Sequence, residues 1–309
     1  MIDVLIIGGG PAGLSAAIYA HRAGASVTVL EALACGGQVA RTPEVENYPG
    51  ITHIGGAELA LSLYEHAAGL GVDIRFEQAE RAELSGPVKR VFTAEAAYEA
   101  RSVIIANGAK RRRLGCRGED AFEGRGVSYC AACDGNFYRG KETAIVGGGN
   151  TALEDALFLS NLCARVHLIH WMREFQGGKL LADEVLARDN ITVHWETRLD
   201  EIFGEKKVAG IRVSAVPESQ NPAPAAEIPV SGVFVAIGLV PDNGIFAPEL
   251  ELDRQGYIRA GEDCKTSLPG VFAAGDTRTK VLRQIVTAAS DGAAAAMEAA
   301  GYAALRQGE

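Results

Sequence analysis

The sequence predicts an α/β chain of two similar three-layer (ββα) domains with parallel sheets, the second inserted into the first. Three observations carry this. A βαβ pattern with a glycine stop occurs twice, each copy is followed by a strand-rich stretch that ends on another glycine, and residues 242–309 are too short and strand-poor for a third domain.

Residues 3–31, DVLIIGGGPAGLSAAIYAHRAGASVTVLE, align without gaps over residues 142–170, ETAIVGGGNTALEDALFLSNLCARVHLIH, at an offset of 139. In both, an apolar strand stops at three glycines, a helical pattern follows (Leu14, Ala17, Ile18; Leu153, Ala156, Leu157), and a second apolar strand closes the unit. Next, residues 88–108, VKRVFTAEAAYEARSVIIANG, and 208–238, ending SGVFVAIG, read as a small β-meander feeding a return strand. SQNPAPAA, 219–226, has the proline content of an exposed loop. The segment from 242 onward is expected to return to the first domain. That gives two Rossmann-like domains, 1–113 with 242–309 and an inserted 114–241, joined near Arg113–Gly118 and Val240–Asn243.

Composition narrows the function. A net charge of −9, from 30 Lys and Arg against 39 Asp and Glu, argues against nucleic acid or an anionic membrane as partner. The basic run Lys110, Arg111, Arg112, Arg113 reads as a solvated linker ahead of a docking patch for an acidic partner. The apolar stretch Val4–Ile18 lacks a basic leader and is broken by Gly8, Gly9, Gly10 and Pro11, so neither a signal peptide nor a membrane span is expected. The Ala293–Leu305 stretch, interrupted by Glu298 and Gly301, reads as a packed helix. A cytoplasmic location is the expectation.

The first glycine loop reads G-x-G-x-x-G at Gly8, Gly10 and Gly13, between strand and helix, with Glu31 ending the next strand. Gly8 permits the turn, Gly10 lets backbone approach a pyrophosphate, Gly13 allows close helix packing, and the helix N-terminus presents free N–H groups to the anion. Glu31 is suited to the hydroxyls of an adenosine ribose. The second loop reads G-x-G-x-x-A at Gly147, Gly149 and Ala152, which suggests a nicotinamide nucleotide. Its acid position holds His170, so two-oxygen recognition of an NAD ribose is missing there.

Six cysteines at scattered spacing do not form a disulfide scaffold. SYCAACDG instead sets Cys130 and Cys133 in C-x-x-C, with Asp134 beside them. Two such thiols close a ring that opens readily, and the acid is suited to shuttle the proton that exchange needs. A zinc site is disfavoured, because no second C-x-x-C or C-x-x-H pair supplies four ligands; no metal is expected. Cys116, Cys163 and Cys264 read as core or surface residues, and Cys35, in the glycine-rich loop CGGQ, as simple packing.

GVFAAGD (Gly270–Asp276) and IIANGA (Ile104–Ala109) add an acid between strand and helix and a second glycine turn. With them the chain resembles the two-dinucleotide flavoproteins. That resemblance implies FAD in the first domain, with Asp276 at its ribityl and pyrophosphate region and Arg283 and Gln284 against the flavin. It also implies cofactor positions at Pro11, Ala12, Gly37, Gln38, Asn47, Ala106, Gly108, Gly275 and Ile285, and nucleotide positions at Asn150, Thr151 and His170. Taken in order, the motifs resemble low-molecular-weight bacterial thioredoxin reductases over nearly the whole length. The family resemblance implies that Cys133 faces the flavin, Cys130 attacks a thioredoxin disulfide, Asp134 is the acid, and the enzyme is a homodimer whose nucleotide domain swings.

One motif departs from this family. Where its pattern reads H-R-R-x-x-x-R, this chain reads HWMREFQ, with Trp171, Met172 and Gln176 at the arginine positions. Neither indole nor thioether replaces the planar charged fork that grips a 2′-phosphate. Poor use of NADPH is therefore expected. Four readings follow in order: a reductase using NADH or weakly NADPH with Trp171 stacked on adenine, a ferredoxin-linked reductase, a dithiol oxidase, and a flavin-binding redox sensor.

Overall fold

The computed structural model describes residues 1–306 apart from 43, 218 and 220–224. Most of the proline-bearing stretch 219–226 therefore lies outside the described residues. The chain forms two compact units, Met1–Lys110 with Val240–Glu309, and Arg111–Leu239. These divisions fall a few residues from the sequence-based boundaries.

In the first unit, strand Ile2–Ile7 runs parallel to Val27–Leu30 on one side and to Ala97–Ile105 on the other. The long strand Ala97–Ile105 has two jobs. Its N-terminal part pairs antiparallel with Lys89–Phe92, and its C-terminal part pairs parallel with Ile2–Ile7 and with Val271–Ala273. Meander and return strand are thus one continuous element.

Side-chain alternation assigns the two faces. Val4, Ile6 and Val29 pack with Ala16, Ala20 and Ala295 of helices Pro11–Arg22 and Ile285–Ala304, while Leu5, Ile7 and Leu30 pack with Leu84, Val91, Phe246 and Ile258. A strand buried on both faces reads as an unbroken apolar run, as VLII does. The alanine-rich C-terminal stretch is part of the helix Ile285–Ala304, which begins eight residues before the Ala293 expected from sequence. A capping box between Gln284 and Thr287 sets that start.

The second unit repeats the plan. A parallel five-stranded sheet runs in the order Val127–Ser128, Gly232–Val235, Glu142–Val146, Arg165–Ile169, Ile191–His194. At the offset of 139, Ile145 and Leu168 face helix Asn150–Ser160, as Ile6 and Val29 face theirs. Ala144, Val146 and Ile169 face the meander, as Leu5, Ile7 and Leu30 do. Here the meander, Thr197–Gly204, Val208–Ala215 and Ala226–Pro229, is a sheet of its own. Among the described residues, no helix is long and apolar enough to cross a membrane.

The basic run near the division is largely consumed by local pairs. Lys110 bonds Asp242, Arg113 bonds Asp120 and Glu123, and Arg111 lies over the Tyr129 ring.

Candidate functional site

The first glycine loop is shaped by contacts within its own fold. Gly8 has φ of 106°, and a methyl group at Gly13 would stand 1.8 Å from the Gly8 carbonyl oxygen, so helix Pro11–Arg22 can start here only on a glycine. Gly10 is different. A methyl group there would reach only the Gly37 Cα, at 4.0 Å, so the protein itself leaves this place open. Pro11 opens the helix at its first position, beside Ala12, and no acid sits in the first turn.

Glu31 closes the loop from the next strand. Its Oε2 accepts from the Gly9 amide at 2.7 Å and its Oε1 from the Leu33 amide at 3.0 Å. Each oxygen keeps a second lone pair for a hydroxyl. Around it, Gln38 Nε2 donates to the Ala109 carbonyl at 2.6 Å, beside the Ala106–Gly108 turn, and Asn47 Nδ2 donates to Gln284 Oε1 at 3.1 Å. Residues far apart in the chain therefore converge in one unit. Gln284 and Ile285 mark the start of the C-terminal helix, and Arg283 donates to the Lys280 and Arg278 carbonyls with its guanidinium 4.1 Å above the Tyr257 ring.

Asp276, after Gly275, carries a buried Oδ1 with no hydrogen-bond partner among the described residues. Burial pushes this carboxyl up, against the pull of Lys280 and Arg283. An unmatched buried acceptor calls for a donor from outside the chain. Beneath it lies a cluster that the sequence did not announce. Asp291 accepts from Arg278 through both oxygens at 2.7 and 2.8 Å, from Lys280 at 2.8 Å, and from the Gly275 amide at 2.9 Å. Burial opposes its charge, but these bonds outweigh it and hold the Asp291 carboxyl below its ordinary range. The cluster fixes the Gly275–Asp276 turn. Its available signal was Asp291 itself, an acid on an otherwise apolar helix face.

In the second loop a methyl group at Gly149 would meet nothing within 4 Å, so this place too is open, while one at Gly148 would strike the His170 ring at 2.1 Å. His170 thus fills the space under the loop. It is 1% exposed, its Nε2 bonds the Glu174 carbonyl at 3.0 Å, and its ring packs with Phe175 and Trp195. Burial lowers its pKa, against the nearby Glu174 and Gly147 backbone. Asn150 and Thr151 start the helix with exposed side chains, and Asn150 Oδ1 accepts from the Gly178 amide at 2.7 Å. Trp171 is 62% exposed. Arg173 does not stand free: its Nε bonds Glu196 Oε1 at 2.8 Å.

Cys130 and Cys133 are joined as a disulfide with Cα atoms 5.3 Å apart, around the single turn Ala131–Asp134. Ser128, which sequence reading passed over, ties the motif together. Its hydroxyl donates to Asp134 Oδ2 at 2.6 Å and accepts from the Cys130 amide at 3.1 Å. The half-buried Tyr138, with the Asp134 charge nearby, is pushed up to about 12, by burial first. The free thiols behave otherwise. Burial pushes Cys35, Cys116 and Cys264 up to about 11 and raises Cys163 as well, so all four stay protonated and inert near neutrality.

Comparison with known proteins agrees with this layout. The family model for pyridine nucleotide-disulphide oxidoreductases matches residues 2–292. The thioredoxin reductase of Treponema pallidum is 42% identical over 301 residues, covering 97% of this chain and 96% of the relative. The crystal structure of thioredoxin reductase from Streptococcus pyogenes superposes with a TM-score of 0.91 at 40% identity, covering 98% of each chain. A ferredoxin-flavin thioredoxin reductase from Clostridium acetobutylicum is 30% identical with a TM-score of 0.53, covering 99% of each chain. The chain therefore belongs to the pyridine nucleotide-disulphide oxidoreductase family, and within it to the low-molecular-weight thioredoxin reductases.

Proposed function

We propose that this chain is an FAD-dependent disulfide reductase that takes electrons from NADH, using NADPH only weakly, and delivers them through Cys130 and Cys133 to a thioredoxin-like protein. The observation that carries the reading is the Cys130–Cys133 disulfide with an acid bonded into its own turn, in a chain that also holds two open glycine loops.

The first unit fits FAD. The open place at Gly10 and the N-terminus of Pro11–Arg22 suit a pyrophosphate, the remaining lone pairs of Glu31 suit the adenosine ribose, and the unmatched Asp276 Oδ1 suits a ribityl hydroxyl. FAD, when bound, supplies the two-electron chemistry that links a hydride donor to a disulfide. The chain's own residues do the rest. Reducing Cys130–Cys133 takes two electrons, and the emerging thiols need protons, which Asp134, bonded by the Ser128 hydroxyl, is suited to carry. We assign Cys133 to the flavin side and Cys130 to the attack on the substrate disulfide.

NADH is favoured over NADPH because Trp171, Met172 and Gln176 offer no charged fork and Arg173 is engaged by Glu196. The same lack of cations favours a second reading, reduced ferredoxin as donor. The proposal extends to a cytoplasmic homodimer.

Turnover of an oxidised thioredoxin with NADH by the flavin-loaded protein tests the reading. Cys130→Ser and Cys133→Ser are each expected to abolish turnover while retaining flavin. Full turnover in either variant would contradict it.

A further inference from the structure

Glu196 follows the strand Ile191–His194 and adopts φ of 49°, a left-handed conformation uncommon for a residue with a side chain. Its backbone is held on both sides. The Glu196 amide donates to the Met172 carbonyl at 3.2 Å, its carbonyl accepts from the Val216 amide at 2.8 Å, and the next amide, Thr197, donates to the His170 carbonyl at 3.0 Å. These bonds fix Glu196 against the 170–172 segment. In a nucleotide-binding βαβ unit, that segment borders the 2′ position of the adenosine ribose.

We infer that Glu196 is the residue that discriminates against a 2′-phosphate, by occupying Arg173 and by keeping a negative charge beside the segment that borders that phosphate. The inference rests on the proposed use of a pyridine nucleotide and adds a selection element that the missing arginines do not supply. Arg173 is the sole cation from 171 to 176. Its pair with Glu196 is partly exposed, at 54% and 21%, and such pairs are weak on their own. Arg173 could therefore leave for a phosphate. The carboxylate it leaves behind stays near, because the backbone bonds tether the Glu196 main chain to the 170–172 segment. Repulsion from that carboxylate and the occupation of Arg173 contribute about equally to the discrimination.

Steady-state kinetics with both nucleotides test this. Glu196→Gln is expected to lower KM for NADPH about tenfold with kcat and the NADH constants unchanged, the size expected for removing one charge near a phosphate at the protein surface. Arg173→Ala alone should leave the NADPH KM within about twofold, and in the double variant the gain should shrink to about threefold. Glu196→Asn, better suited to left-handed backbone, guards against a folding defect and should show the same direction. Calorimetry with 2′,5′-ADP provides a readout independent of the flavin, and tighter binding to Glu196→Gln is expected. An unchanged NADPH-to-NADH preference in both Glu196 variants, with NADH still active, overturns the inference and leaves the donor proposal standing. Failure of both nucleotides to reduce the flavin in every form overturns the donor proposal and the inference with it.

Discussion

The two glycine loops share one sequence pattern and one fold, yet they are finished differently. In the first, an acid ends the following strand and bonds back to the loop: Glu31 holds the Gly9 amide and keeps lone pairs for a ligand. In the second, the corresponding position is His170, whose ring lies under Gly148 and bonds its own chain at Glu174. The first loop exposes acceptors, and the second hides a neutral ring. A glycine fingerprint therefore specifies the turn and the anion-facing helix, while selection among nucleotides is left to residues at the ends of neighbouring strands.

The comparison can be broken most forcefully at the third loop position. Gly13→Ala places a methyl group 1.8 Å from the Gly8 oxygen and should cost about 3 kcal/mol or more, with loss of bound flavin. Ala152→Gly, its counterpart, should cost about 1 kcal/mol in helix propensity and retain flavin. Urea unfolding of the two variants measures the gap, and equal destabilisation would count against the packing argument.

A comparably large effect is expected below the Asp276 turn. Asp291→Asn leaves Arg278 and Lys280 buried without their charge partner and should destabilise by about 3–5 kcal/mol. Asp276→Asn should leave the flavin-free protein as stable as before, because its Oδ1 has no partner to lose, yet weaken flavin retention. Unfolding with and without flavin separates the two roles.

Smaller effects sharpen the second loop. Gly149→Ala enters open space, so stability and flavin content should hold while reduction by nucleotide slows by about tenfold or more. His170 supplies a pH signature. Its folded pKa lies below the ordinary 6.5, so as pH falls below that value the unfolded chain takes up a proton that the native state refuses. Stability from the neutral ring is complete above pH 6.5 and declines beneath it. The loss of stability between pH 7.5 and 5.5, measured by urea unfolding at each pH, should therefore be smaller in His170→Phe than in the parent.

Much of the architecture was legible because it depends on local patterning. Glycine stops, apolar runs and the 139-residue repeat predict both βαβ units, but which strand residues face helix and which face meander emerges only from the packing. The long-range contacts were not legible. Nothing in the spacing of Asp291, Arg278 and Lys280 announces that one carboxylate gathers two cations and the Gly275 amide, since their meeting depends on how the last helix packs. Ser128 was passed over because a serine two residues before a cysteine carries no motif. Arg173 was visible as a cation, but its engagement by Glu196 depends on a left-handed residue at the end of another strand.

Anaerobic stopped-flow bleaching of the bound flavin tests the central proposal most directly, with NADH, NADPH and reduced ferredoxin added in parallel and oxidised thioredoxin added afterwards. The account predicts fast bleaching by NADH, slow bleaching by NADPH, and return of the oxidised spectrum when thioredoxin is added. Bleaching by reduced ferredoxin alone would contradict it and make the second glycine loop a relic.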